Sequence, residues 1–350
     1  MPTRKPTRPF RQKPGPSRFS GRPAPPPPRQ RPQPSGLRVR WTDIKAMYDY
    51  WGNEIRRHYQ IETLGHATER LLATHDAFIV PSIQQLLGPA PLVSLTFELF
   101  QEGAFQLIFR VRATNAHRAQ TVCSFVAAKK EGDVSRVAAI EHAILNILHA
   151  RAPEHVVRPL LGGTIPLPAR GQTAKPRVIY AYLAAWIPHH HELGVTRDLQ
   201  FFINVKNRHV FTQAQTDDLK GQMIEIIART YDPVKRECME MPQIASGDFV
   251  VTKPPRGAPR LKLIACRQML KRVTPASLIQ TLLQAHWNWG SRLLRLMPSR
   301  PEIFWNALVR ARGADEARSW LSQYRHAVAA GKFPQSALLS PAEIERLGAR

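Results

Sequence analysis

At Leu92 the apolar residues stop recurring at helical spacing and begin to alternate, and this change of period restricts the possible folds most. Leu92 to Phe100 reads as one strand and Gln101-Glu102-Gly103-Ala104 as a turn. Phe105 to Arg112, alternating through Leu107, Phe109 and Val111, completes a β-hairpin. After a polar turn, Thr121 to Lys130 forms a third strand of small and β-branched residues, ended by Gly132 and Asp133. Ser135 is the expected N-cap of a helix running to about Ala150, with Ile140, Ile144, Leu145 and Leu148 as its apolar stripe. Two more strands, Val156 to Gly162 and Val178 to Trp186, flank a polar insertion. The expected product is a five-stranded antiparallel sheet carrying one packed helix.

The flanks differ in character. Residues 1–36 hold twelve prolines and nine Lys or Arg with no acid, so they cannot bury a core and are expected to form a solvated, extended tail. Its Pro/Arg run could dock in an SH3-like groove, rest on phosphate backbones, or only solubilise the chain. From Trp41 to Leu87 the spacing of Ile44, Met47, Tyr48, Trp51, Ile55 and Tyr59 predicts two or three helices. Beyond Phe211, Leu219, Met223, Ile226 and Ile227 mark a helix, and Leu293, Leu294, Ile303, Phe304, Leu308 and Leu321 mark helical stripes nearer the C-terminus.

The net charge of +24 favours anionic partners such as nucleic acid, a membrane surface or phosphorylated substrates. Three cysteines without a C-x-x-C pair supply no disulfide framework and no four-ligand zinc site. No stretch is long and apolar enough for a transmembrane segment or a secretory signal, so a cytoplasmic location is expected.

The order strand, turn, strand, strand, helix, strand, strand resembles the small lobe of the protein kinase-like superfamily, as a divergent bacterial-type member or pseudokinase. Val126-Ala127-Ala128-Lys129 is similar to that family's V-A-I-K, and Glu141 to Leu148 followed by His155 to Leu160 to its helix C and fourth strand. The resemblance implies that Lys129 holds ATP phosphates and pairs with Glu141, and that Ala127 packs on adenine. Gly103 would be the remnant of the glycine-rich loop. Leu183 to Pro188 looks like the hinge, where the backbone of Ala185 and Ile187 would meet adenine, with Ala184 as a small gatekeeper. The implied fold is α+β and two-lobed: a tail (1–40), a helical extension (41–90), a small lobe (91–187), a mainly helical large lobe (188–335) and a C-terminal tail (336–350).

The same resemblance implies a damaged catalytic apparatus. Aligning Phe249-Val250-Val251 with the strand after the catalytic loop puts Gln243 where the catalytic aspartate belongs and Asp248 at a metal-binding asparagine. Ala265-Cys266-Arg267 then stands where D-F-G belongs, so a methyl group replaces the main Mg²⁺ carboxylate. ATP is the implied cofactor, with Asp248 the one residual Mg²⁺ ligand, and phosphoryl transfer should be impaired by several powers of ten.

Outside that pattern, His189-His190-His191-Glu192 could form a two-ligand metal site through His189 and His191. Cys266, near Lys262 and Arg267, is either a reactive thiol or inert packing. Trp287, Trp289, Trp305 and Trp320 among arginines could stack bases or fill a core. Three functions stay open: a pseudokinase scaffold binding an unidentified protein partner, an active divergent phosphotransferase using Asp248 or Glu240, and a basic nucleic-acid-binding protein.

Overall fold

The structure, a computed structural model, describes residues 37–42, 59–74, 78–103, 105–115, 119–168, 177–196, 200–203, 208–240, 248–253, 258–284, 286–289 and 292–333. The proline-rich tail, the helical pattern from Ile44 to Ile55, Gln243 and the C-terminal tail lie outside these residues. The fold is α+β, with seven helices among the described residues.

The main sheet contains β1 (Arg38–Thr42), β2 (Leu92–Glu102), β3 (Gln106–Asn115), β4 (Ala119–Ala128), β5 (Pro159–Leu167) and β6 (Arg177–Ala185), in the order β1-β2-β3-β4-β6-β5. It therefore has six strands where the alternation predicted five. The extra strand, β1, runs parallel to β2 with Trp41 opposite Phe97. Trp41 thus belongs to a strand and does not open a helix. Its indole stacks on Phe97 with centroids 4.5 Å apart and meets Phe109 edge-on at 5.2 Å, a tertiary contact that overrides local helical spacing.

Helices α1 (Tyr59–Thr74) and α2 (Ile79–Leu87) cover one face of the sheet. Leu64, Leu72, Phe78 and Ile83 pack there with Leu95, Phe97, Phe109 and Phe125. Helix α3 (Asp133–Arg151) packs against β4, β5 and β6. It begins two residues before the expected cap, after Gly132 at φ 71°, a conformation that glycine tolerates. Ser135 does not cap it, because its hydroxyl accepts the Tyr180 N–H at 2.7 Å and ties α3 to β6. Ile144, Leu145 and Leu148 are buried as the stripe predicts, but Ile140 faces solvent.

Strand β5 continues past the expected end at Gly162, where the backbone makes a close approach to neighbouring side chains. A Cβ on Gly162 would stand 2.7 Å from the Tyr180 hydroxyl and 2.8 Å from His142 Nδ1. The Nε2–H of His142 donates to the Leu160 carbonyl at 2.7 Å, and its Nδ1 accepts from Tyr180 at 2.8 Å. Gly162→Ala should break this bridge and destabilise the fold by about 1–3 kcal/mol, as overpacking does. Denaturant titration checks this, and an unchanged midpoint would refute the crowding.

The second half of the described chain is less helical than expected. A five-stranded sheet, ordered β12-β11-β7-β8-β9, is built from β7 (His190–Val195), β8 (Phe201–Ile203), β9 (His209–Val210), β11 (Phe249–Thr252) and β12 (Leu261–Leu263). Strands of two to six residues are too short to display a period. Between them lie α4 (Gln213–Thr230) and β10 (Cys238–Met239), and after them β13 (Met269–Leu270), which pairs with β10. The helix α4 opens on a capping box between Thr212 and Gln215 and buries Leu219, Met223, Ile226 and Ile227. Helices α5 (Pro275–Gln284), α6 (Pro301–Arg312) and α7 (Ala314–Ala329) complete this core. Leu293 and Leu294, expected in a helix, belong to β15 (Arg292–Arg295), which pairs with β14 (His286–Trp289). Trp305 and Trp320 are buried in the core, and Trp320 meets Tyr231 edge-on at 5.3 Å.

Candidate binding cleft

The face of the main sheet opposite α1 and α2 borders a cleft of about 400 Å³. That volume suits a small ligand. Ser124 and Val126 of β4, Gln106 of β3 and Ala184 of β6 form its roof. Ala185, Trp186 and Ile187, in the connection from β6 to β7, line it, as does Gly103, whose N–H donates to the Gln106 carbonyl at 2.9 Å. His190 and Glu192 of β7 line it from below, with Asp248, Ala265 and Arg267.

Backbone pairing explains how distant residues converge. Val157 donates to the Leu263 carbonyl at 2.8 Å and Leu263 to the His155 carbonyl at 2.9 Å, so β12 is bonded to the chain leaving α3. Ile264 donates to the Asp248 carbonyl at 2.8 Å. Arg267 consequently emerges beside Glu141 on α3. Its Nε lies 2.9 Å from Glu141 Oε2, and its Nη1 donates to Asp248 Oδ1 at 3.0 Å. The Glu141 Oε1 atom also accepts from the Gln106 amide at 2.8 Å and the Tyr182 hydroxyl at 2.6 Å.

These contacts set the local proton affinities. Burial, and then the negative charge of Glu141, push the Tyr182 phenol well above its ordinary value. Burial pulls Arg267 down, but Glu141 and Asp248 outweigh it and hold the guanidinium above its usual range. Burial pushes the Glu192 carboxyl up to about 7, opposed by the Gln101 amide that donates to it at 2.7 Å and reinforced by the charge of Asp248. His190 is lowered by burial.

Lys129 and Glu141 do not meet. The Lys129 ammonium pairs with Glu102 at the end of β2, and Lys129 is absent from the cleft lining. Ala127 is likewise buried with Phe125 in the core beneath α1 and α2, while Val126 faces the cleft. The reason is the two-residue period of β4: an offset of one position exchanges the faces. The expected motif is present as letters, but its alanine points to the other face.

A magnesium site does not fit these residues. Asp248 is engaged by a guanidinium, and Ala265 brings only a methyl group to the lining. Among the described residues no three His, Cys, Asp or Glu side chains form a group able to hold a metal. His189 precedes β7 at φ 61°, so the extended segment that would set His189 and His191 on one side for a surface metal pair is not formed; His190 and Glu192 line the cleft. Burial pushes the Cys266 thiol up to about 12, which makes it inert packing.

No family model matches this chain, and no curated protein is similar to it. The cleft must be interpreted from its own chemistry. The sequence singled out His190 and Glu192 only as part of a possible surface metal cluster, and not as residues lining the cleft. Arg267 appeared there only at the D-F-G position and beside Cys266, with no sign of Glu141 as its partner. Nothing local could have paired residues so far apart in the chain. Among the described residues no helix is long and apolar enough to cross a membrane.

Proposed function

We propose that this chain is a kinase-like scaffold that works by binding a partner and has lost efficient phosphoryl transfer. The observation that carries this reading is the Glu141–Arg267–Asp248 bridge across the cleft. In an active kinase-like site a lysine would neutralise the helix carboxylate and leave the other carboxylate to a metal. Here one arginine occupies both carboxylates, so neither is left to bridge phosphates through magnesium. Support for a two-lobed arrangement comes from the cleft itself, roofed by one sheet, closed at one end by the β6–β7 connection and floored by the second sheet. The Lys129–Glu102 pair further supports the reading, since it removes the expected phosphate ligand.

Incubation of the full chain with Mg²⁺ and labelled ATP tests the proposal. The expected result is no hydrolysis or self-phosphorylation above that of an Arg267→Ala, Asp248→Ala control. Metal-dependent turnover that disappears in Asp248→Ala would overturn it in favour of an active divergent phosphotransferase.

A further inference from the structure

The main sheet carries a second feature, a basic one, away from the cleft. Val39 and Trp41 of β1 pack into the core beneath α1 and α2, so Arg38 and Arg40 project from the opposite face, where both are exposed. Strand pairing sets them among hydroxyls. Arg38 stands opposite Ser94, which stands opposite Thr114, while Arg40, Thr96 and Arg112 make the next row. Arg112 is exposed between the buried Val111 and Ala113. In the adjoining row the one acid, Glu98, is already matched by Arg110, whose Nε donates to it at 3.0 Å. Among the described residues Arg38, Arg40 and Arg112 have no ion-pair partner.

Protection of a sheet edge explains charges on β1, the edge strand, but not Arg112, which lies on β3 with β2 and β4 on either side. Residues two apart along a strand are about 7 Å apart, and strands two apart in a sheet about 10 Å, so these guanidinium groups form a spread array. None of them lines the cleft. Such an array meets charges in series, as a polyanion presents them, and the planar fork of arginine matches pairs of phosphate oxygens. The Ser and Thr hydroxyls between the arginines add further phosphate donors. Phe100, two positions beyond Glu98 in β2 and 51% exposed, ends the same face with a ring on which an unpaired base can stack. Bases inside a duplex are already stacked and cannot reach it.

From this pattern we infer that the outer face of β1, β2 and β3 binds single-stranded nucleic acid, with Arg38, Arg40 and Arg112 on its phosphates and a base on Phe100. The function is additional to the scaffold reading and independent of it, because the arginines stand outside the cleft and no phosphoryl group is transferred.

Fluorescence anisotropy of the full chain with a labelled oligothymidylate of about 12 nucleotides, a length within the usual single-strand site sizes, tests it across a salt series. Arg38→Gln, Arg40→Gln and Arg112→Gln together should weaken binding at least about tenfold at low salt and flatten the logarithmic salt slope by about 2, the counterion release of the lost phosphate contacts. The same loss of charge through exposed residues elsewhere, Lys271→Gln, Arg300→Gln and Lys332→Gln together, should weaken it less than about threefold. Every variant keeps residues 1–36 with their nine Lys or Arg, so the general attraction of that segment cancels in the comparison. Phe100→Ala should weaken binding roughly fivefold or more with the salt slope unchanged, as loss of stacking does. Equal losses in the two triple variants would overturn the site, as would tighter binding of phosphatidylserine vesicles than of the oligonucleotide at equal phosphate concentration. Tighter binding of a duplex of the same length, or an unchanged affinity in Phe100→Ala, would overturn the assignment to single strands.

Discussion

Arg267→Met lowers the unfolding free energy by about 3 kcal/mol or more, the scale on which buried ion pairs fail when one partner is removed. Methionine keeps most of the volume and the flexible stem but none of the charge. It removes the guanidinium that bridges Glu141, 1% exposed, and Asp248, 5% exposed. The arginine side chain is itself 32% exposed, which is why the lower end of the range is expected. Urea denaturation of the variant and the parent measures the loss. Adding Glu141→Gln to Arg267→Met should recover part of it, because the amide needs no cation and can still accept from Gln106 and Tyr182. A loss below about 1 kcal/mol would show that the bridge is a surface pair of little consequence.

The second large effect depends on pH. Glu192 has its carboxyl raised from 4.5 to about 7 in the folded protein. The folded state therefore holds a proton that the unfolded state releases between these values. The contribution of Glu192 to stability is unperturbed below about 4.5, deteriorates as pH rises through the window, and is at its most unfavourable above about 7. Glu192→Gln should then stabilise the protein by about 2–3 kcal/mol at pH 8 and by almost nothing at pH 4.5. The difference between the two proteins isolates this group from every other titrating side chain. Thermal unfolding of both across that range checks the sign, and a difference independent of pH would contradict the assignment.

These effects concern residues whose roles the chain order conceals. The hairpin, the third strand, the helix after it and the two later strands were legible because each is long enough to show its period. The helix α4 was legible for the same reason. Strand β1 was not: Trp41 lies next to a helical pattern, and only its stacking on Phe97 places it in the sheet. The strands β14 and β15 were hidden by leucines whose spacing also fits a helix. The cleft was half legible. Ala185, Ile187, Gly103, Glu141 and Asp248 do line it, but Lys129 and Ala127 do not. A strand motif read by eye carries no information about which face is buried until its register against its neighbours is known.

The sequence by itself determined the class of the fold, because alternation and 3.6-residue periodicity decide which local backbone buries apolar side chains. It also put an alanine, which has no ligand atom, at position 265, because that depends only on which chemical groups are present. Only the tertiary structure decided which charges neutralise each other. Coulombic pairing and desolvation depend on distances of 3 to 4 Å between residues more than a hundred positions apart, such as Glu141 and Arg267, and no local pattern encodes those distances.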